Sequence, residues 1–158
     1  MAPRRIFLSY RREDTRHMAG RLFDQLAKRF GRANVFMDVN SIEPGIDFGQ
    51  AVERAVGGCD VLLALIGKRW LSSMDEHGQH RLDNPADLVR LEIESALDRN
   101  ILVIPVLVDG AAAPRQQDLP ESLAPLARRN AVRLDHETFR IDMGPLMGVL
   151  PRRFRLPC

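Results

Sequence analysis

Four short, uninterrupted apolar runs punctuate the chain: Ile6-Phe7-Leu8, Val35-Phe36-Met37, Val61 to Ile66 and Ile101 to Val108. A half-exposed strand alternates apolar and polar residues, whereas a strand covered on both faces reads as a continuous run. Continuous runs bounded by turn residues therefore predict a parallel sheet. A fifth segment, Ala131-Val132-Arg133-Leu134, is mixed in character and suits an edge strand. Helical patterns fill the gaps. Met18, Leu22, Phe23, Leu26, Ala27 and Phe30 fall on one stripe, with Gly31 as a stop. Asp47 and Gln50 form a capping pair for a helix carrying Ala51, Val52, Ala55 and Val56 and ending at Gly57-Gly58. Asn84 as cap, Pro85 and Asp87 open a helix to about Arg99. A last helix runs from about Thr138 to Leu150, with Gly144-Pro145 as a potential break. The segment from Ala111 to Pro125 has little periodicity and is expected to be a long loop with at most one helical turn.

Alternating strands and helices predict an α/β fold: a flavodoxin-like, five-stranded parallel sheet in the order 2-1-3-4-5, with helices on both faces. At 158 residues the chain suits one domain, 1–158, with a core large enough to be stable alone. The 23 basic and 21 acidic residues leave a net charge of +2, which argues against a nucleic-acid partner. No apolar stretch approaches the roughly 18 residues of a membrane span, and no long apolar leader follows the N-terminus. Cys59 and Cys158 are too few for a disulfide framework or a cysteine zinc site. The cytoplasm is the expected compartment.

In such sheets ligands bind beyond the carboxyl ends of the strands. Ser9, Tyr10, Arg11 and Arg12 follow the first run, Asp38 the second, and Lys68, Arg69 and Trp70 the third. Aromatic faces and guanidinium forks in one crevice suit a nucleotide, although loop ends are polar in most proteins. There is no Walker loop, no G-x-G-x-x-G after the first strand and no G-x-S-x-G. The first and third strands do not end in carboxylates, which excludes receiver-type phosphoacceptor chemistry. His77 and His80 lie near Asp75 and Glu76 in a polar segment, where a solvated loop is the expectation and a metal site is not.

Within the helix opened by Asp87, two glutamates differ. Arg90 stands one turn before Glu94 and can pair with it on the surface. Glu92 has Leu88, Val89, Ser95 and Ala96 as its neighbours three and four residues away, with no cation among them. An ionised carboxylate on such a patch is disfavoured unless it has a task, which marks Glu92 as a candidate functional residue.

At these residues the sequence resembles a Toll/interleukin receptor (TIR) domain. Ile6-Phe7-Leu8-Ser9-Tyr10-Arg11-Arg12 is similar to the family's first strand and box. Val35-Phe36-Met37-Asp38 followed by Ile42-Glu43-Pro44-Gly45 is similar to its second strand and BB loop. Trp70 and then Val89 to Leu97 resemble the segment with the catalytic glutamate, and Ile101 to Val108 the fourth strand. The resemblance covers about residues 4 to 154, and the Ser-Tyr-Arg-Arg opening is more similar to prokaryotic NAD-cleaving members and the animal axon-degeneration NADase than to receptor adaptors. It implies cleavage of NAD+ at the nicotinamide–ribose bond, with NAD+ as substrate and no cofactor or metal. Glu92 is then catalytic, and Ser9, Tyr10, Arg11, Arg12, Asp38, Gly45, Lys68 and Trp70 bind substrate. Arg11 and Tyr10 are expected to contact substrate without supporting the fold. Trp70 either presents a face to adenine or caps the core. Partners would be other TIR domains, with the 38–47 loop completing the site between subunits, in bacterial defence or virulence signalling. The alternative is a non-catalytic scaffold for TIR–TIR contacts. The family's glutamate often follows closely after a tryptophan or cysteine; here a longer stretch separates Trp70 from the helix.

Overall fold

Each apolar run forms a strand in the computed structural model, which describes residues 4–37 and 44–150. The strands are β1 (Ile6–Ser9), β2 (Val35–Met37), β3 (Val61–Ile66), β4 (Leu102–Val108) and β5 (Val132–Leu134). All neighbours are parallel, in the order β2-β1-β3-β4-β5. The central pair β3/β4 is in register from Val61↔Leu102 to Ile66↔Leu107, so Pro105 stands opposite Ala64. On its other side β4 pairs with β5 only from Val106 to Val108.

Alternate strand residues feed two cores. Ile6, Leu8, Leu63, Leu65 and Val106 pack with α1 (Arg12–Phe30) and α4 (Phe139–Val149) on one face. Phe7, Leu62, Ala64, Ile66 and Leu107 pack with α2 (Phe48–Gly57) and α3 (Leu88–Asp98) on the other. Burial on both faces is why the runs are continuous. No helix among the described residues is long and apolar enough to cross a membrane.

Three local expectations are corrected. The cap of α3 is Asp87, whose side chain accepts from the Arg90 N–H; Asn84 instead closes the preceding turn on the Ala86 N–H. Helix α4 runs through Pro145 without a break. The segment after β4 is more ordered than a loop: 3₁₀ turns span Gln116–Asp118 and Glu121–Arg128, anchored by buried Leu119, Leu123 and Leu126. Leucines at 3₁₀ spacing are too few per turn to show as an α-helical stripe.

The turn after β3 folds back because Asp14, in the first turn of α1, grips it. The Gly67 and Arg69 N–H groups donate to the two Asp14 carboxylate oxygens, each at 2.9 Å. Burial pushes the Asp14 carboxyl above its usual range, against the pull of these two donors. The chain then turns Trp70 inward. A Cβ on Gly67 would lie 2.4 Å from Asp14 Oδ1 and 2.7 Å from Thr15 Cγ2. Gly67→Ala is therefore expected to cost about 1–3 kcal/mol in chemical denaturation, since Asp14 cannot retreat without releasing two N–H groups.

Candidate functional site

The odd-numbered residues of β1 face α3. Phe7 enters that core, and Ser9, two residues on, meets the helix at the point where the strand ends. Val89, Ile93 and Ala96 form the buried stripe of α3, and Glu92 lies on the same side. Ser9 Oγ donates to Glu92 Oε1 at 2.9 Å, with Ser9 1% and Glu92 6% exposed. Glu94 lies on the other side of the helix. Its Oε1 accepts from Arg90 Nε at 2.6 Å and from Ser122 Oγ at 2.8 Å. The pairing with Arg90 is the expected one; Ser122 is an addition that the local pattern does not contain.

A second bond joins β1 to α3. Arg11 donates from Nη1 to Asp87 Oδ1 at 3.0 Å and from Nη2 to Asp87 Oδ2 at 2.9 Å. Both side chains are buried, at 4% and 8% exposure. Arg11 thus lines the site but spends its fork on Asp87. The expectation that it contacts substrate without supporting the fold does not fit this burial, because a planar guanidinium bound bidentately is committed to that partner.

Around Glu92 opens a cavity of about 330 Å³. Tyr10, Arg11, Arg12 and Glu13 form one wall, and Asp87, Leu88, Val89 and Glu92 the next. The third comes from the segment between β3 and α3, through Asp75, Arg81, Asn84 and Ala86. That segment is a small folded arm: Met74 and His80 form an antiparallel bridge, and Asp75 accepts from the N–H groups of His77 and Gln79. Those N–H groups, Gln79 foremost, hold the Asp75 carboxyl below its usual range. The arm is tied to α1 by Glu13, which accepts from Ser73 Oγ at 2.6 Å and pairs with Arg81 Nε at 3.2 Å. Burial acts to raise the Glu13 pKa, but the Ser73 bond, the helix backbone and Arg81 outweigh it and the net shift is downward. His77 is exposed beside Glu76. Among the described residues no group of three or more His, Cys, Asp or Glu side chains is gathered for a metal ion.

The fold thus brings Ser9, Tyr10, Arg11, Arg12 and Glu92 together. Three other candidates stand apart from this cavity. Trp70 is 1% exposed and packed in the α2/α3 core, so its ring has no face to offer a ligand. Of the two roles open to it, capping the core is the one the structure supports. Lys68 is exposed and outside the cavity lining. Gly45 is exposed, at a positive φ of 87°, also outside the lining. Asp38 lies outside the described residues. The sequence reading named neither Arg81 nor the place of Asn84 and Asp87 in the cavity wall. The only signal there was the helix opening at Asn84, Pro85 and Asp87, because the arm from Ser73 to Asp87 has no helix or strand period.

Comparison with known proteins agrees with this architecture. The fold is similar to that of the TIR domains in the structure of the activated Roq1 resistosome directly recognizing the pathogen effector XopQ. The TM-score is 0.63, at 17% identity, over 92% of this chain and 98% of that one. No curated protein sequence matches. The family profile described as TIR domain matches residues 6–142, and the chain belongs to that family.

Proposed function

We propose that this TIR domain is an NAD+ glycohydrolase. The observation that carries the reading is Glu92, a carboxylate buried on an otherwise uncharged helix face, hydrogen-bonded to Ser9, at the wall of a cavity beyond the sheet's carboxyl ends. In the proposed reaction the bond between nicotinamide nitrogen and ribose C1′ breaks heterolytically, and its electron pair stays with nicotinamide. Nicotinamide leaves neutral, so no strong general acid is required. The ribose passes through an oxocarbenium-like state, which the Glu92 carboxylate stabilises electrostatically. Water adds to C1′, releasing a proton and giving ADP-ribose; capture by an atom of the substrate itself gives a cyclic isomer. Arg12 supplies positive charge for the pyrophosphate, and Tyr10 an aromatic face. NAD+ is substrate, and the reaction needs no cofactor or metal.

The active form is proposed to be an assembly of TIR domains in the cytoplasm, in bacterial defence or virulence signalling. The scaffold reading is kept by one observation: Ile46 and Phe48, next to Gly45, are each 45% exposed, an apolar surface suited to protein contact. The purified chain, incubated with NAD+ over a wide protein concentration range, is expected to release nicotinamide on chromatography. Specific activity should climb with concentration as the associated fraction grows. No nicotinamide at concentrations where light scattering shows assembly would favour the scaffold. Activity that is flat with dilution, from a proven monomer, would remove the assembly requirement.

A further inference from the structure

We propose that Asp87 is a positioning residue, which sets the Glu92 carboxylate through a bridge between two helix caps. Arg11 is the N-cap of α1: its carbonyl accepts from the Asp14 and Thr15 N–H groups. Asp87 is the N-cap of α3. Its Oδ1 takes Arg11 Nη1, and its Oδ2 takes both Arg11 Nη2 and the Arg90 N–H. One carboxylate therefore starts the helix that carries Glu92 and fixes that helix start to the exit of β1.

The Ser9–Glu92 bond is the second rung of the same ladder. From Asp87 to Glu92 is the cap step and four helical steps, a span of about 7 Å. From Ser9 to Arg11 is two extended residues, about 7 Å. The two spans are comparable, and both rungs are formed at once. The ring they form joins segments 76 and 83 residues apart in sequence. Tilt or slide of α3 at its first turn breaks the lower rung and carries Glu92 away from Ser9. Arg11, 4% exposed, offers a substrate almost no surface. Its effect on the reaction passes through Asp87 and then Glu92.

The kinetic part of this inference rests on the proposed NAD+ cleavage; the positional part does not. Asp87→Asn alone keeps the cap, since asparagine caps as well as aspartate, but leaves a buried guanidinium unpaired. The better test is Arg11→Met combined with Asp87→Asn, which removes both charges, keeps the cap and fills the space. The double variant is expected to stay folded by circular dichroism, with kcat down at least about tenfold and KM within about threefold. A raised KM with unchanged kcat would overturn the proposal and make Arg11 a substrate ligand. Unchanged kcat and KM would leave the bridge purely structural and overturn it too. Arg11→Lys, which keeps the charge but not the fork, should recover part of kcat. Independently of activity, glutamate labelled with carbon-13 at the side-chain carboxyl, with Glu92 assigned through Glu92→Gln, should show its Glu92 resonance moved in the double variant and its Glu94 resonance in place. A stationary Glu92 resonance overturns the proposal whatever the kinetics. A moved resonance in a protein that never cleaves NAD+ supports the bridge and rejects the activity.

Discussion

Glu92→Gln is expected to bring nicotinamide release down to background, a loss of at least about 10³-fold, the scale associated with removing a preorganised charge from a developing ionic transition state. The amide is nearly isosteric, and its oxygen still accepts the Ser9 hydroxyl that now reaches Glu92 Oε1. The fold should therefore survive, with a melting temperature within a few degrees of the parent. What is lost is the negative charge proposed to stand beside C1′. Glu94→Ala is the control on the same helix, two residues away. It removes the contacts to Arg90 and Ser122 and should cost about 1–2 kcal/mol of stability, yet leave turnover per folded molecule within about twofold. A dead Glu94 variant beside an active Glu92 variant, in the same chromatographic assay, would reverse the assignment.

Trp70→Ala is expected to be the most destabilising single change. The indole is among the largest fully buried side chains and sits where the turn after β3 meets the α2/α3 core. Truncating it should cost about 3–5 kcal/mol, a large part of the roughly 5–15 kcal/mol that holds a domain of this size folded. In a thermal melt this corresponds to a fall of roughly 6–20 °C. Trp70→Phe should cost much less, because the indole Nε1 makes no hydrogen bond among the described residues that the change would forfeit. If Trp70→Ala instead left the melting temperature in place and raised only KM, the ring would have to face the ligand after all.

The sheet was readable because its pattern is set by local burial. Strands covered on both faces have no polar alternation, so Val61 to Ile66 announces itself, and four of the five strands start and end within a residue of the apolar runs. The burial of Glu92 was readable for a related reason: a helix face is a local object, and the contrast with Glu94 needs only neighbours three and four residues away. Trp70 was ambiguous because its fate is decided by Asp14, which lies more than fifty residues earlier and pulls the turn inward through backbone N–H groups. Backbone donors leave no mark in a sequence. Arg11 shows the same limit. Its place after β1 suggests an open crevice, but the acid that claims it is 76 residues away and reads in the sequence only as an acidic residue in the opening of a helix. The arm that walls the cavity was read as a loop since its order comes from single contacts, Glu13 to Ser73 and Arg81, and from Asp75 closing its own turn.

Proline 105 has a bearing on crowding. Strand β5 pairs with β4 only from Val106 onward, so residues 102 to 105 have no strand partner on that side among the described residues. Borders with free N–H and C=O groups recruit strands from other molecules, and proteins protect them with residues that cannot complete the ladder. Pro105, the last of these positions and buried like Val103 and Ile104, has no N–H to offer a ladder on either side. A domain proposed to work only when packed against copies of itself runs a constant hazard of joining them by the wrong chemistry. A position in the strand that cannot extend a ladder favours reversible association through side chains over fibre growth through backbone.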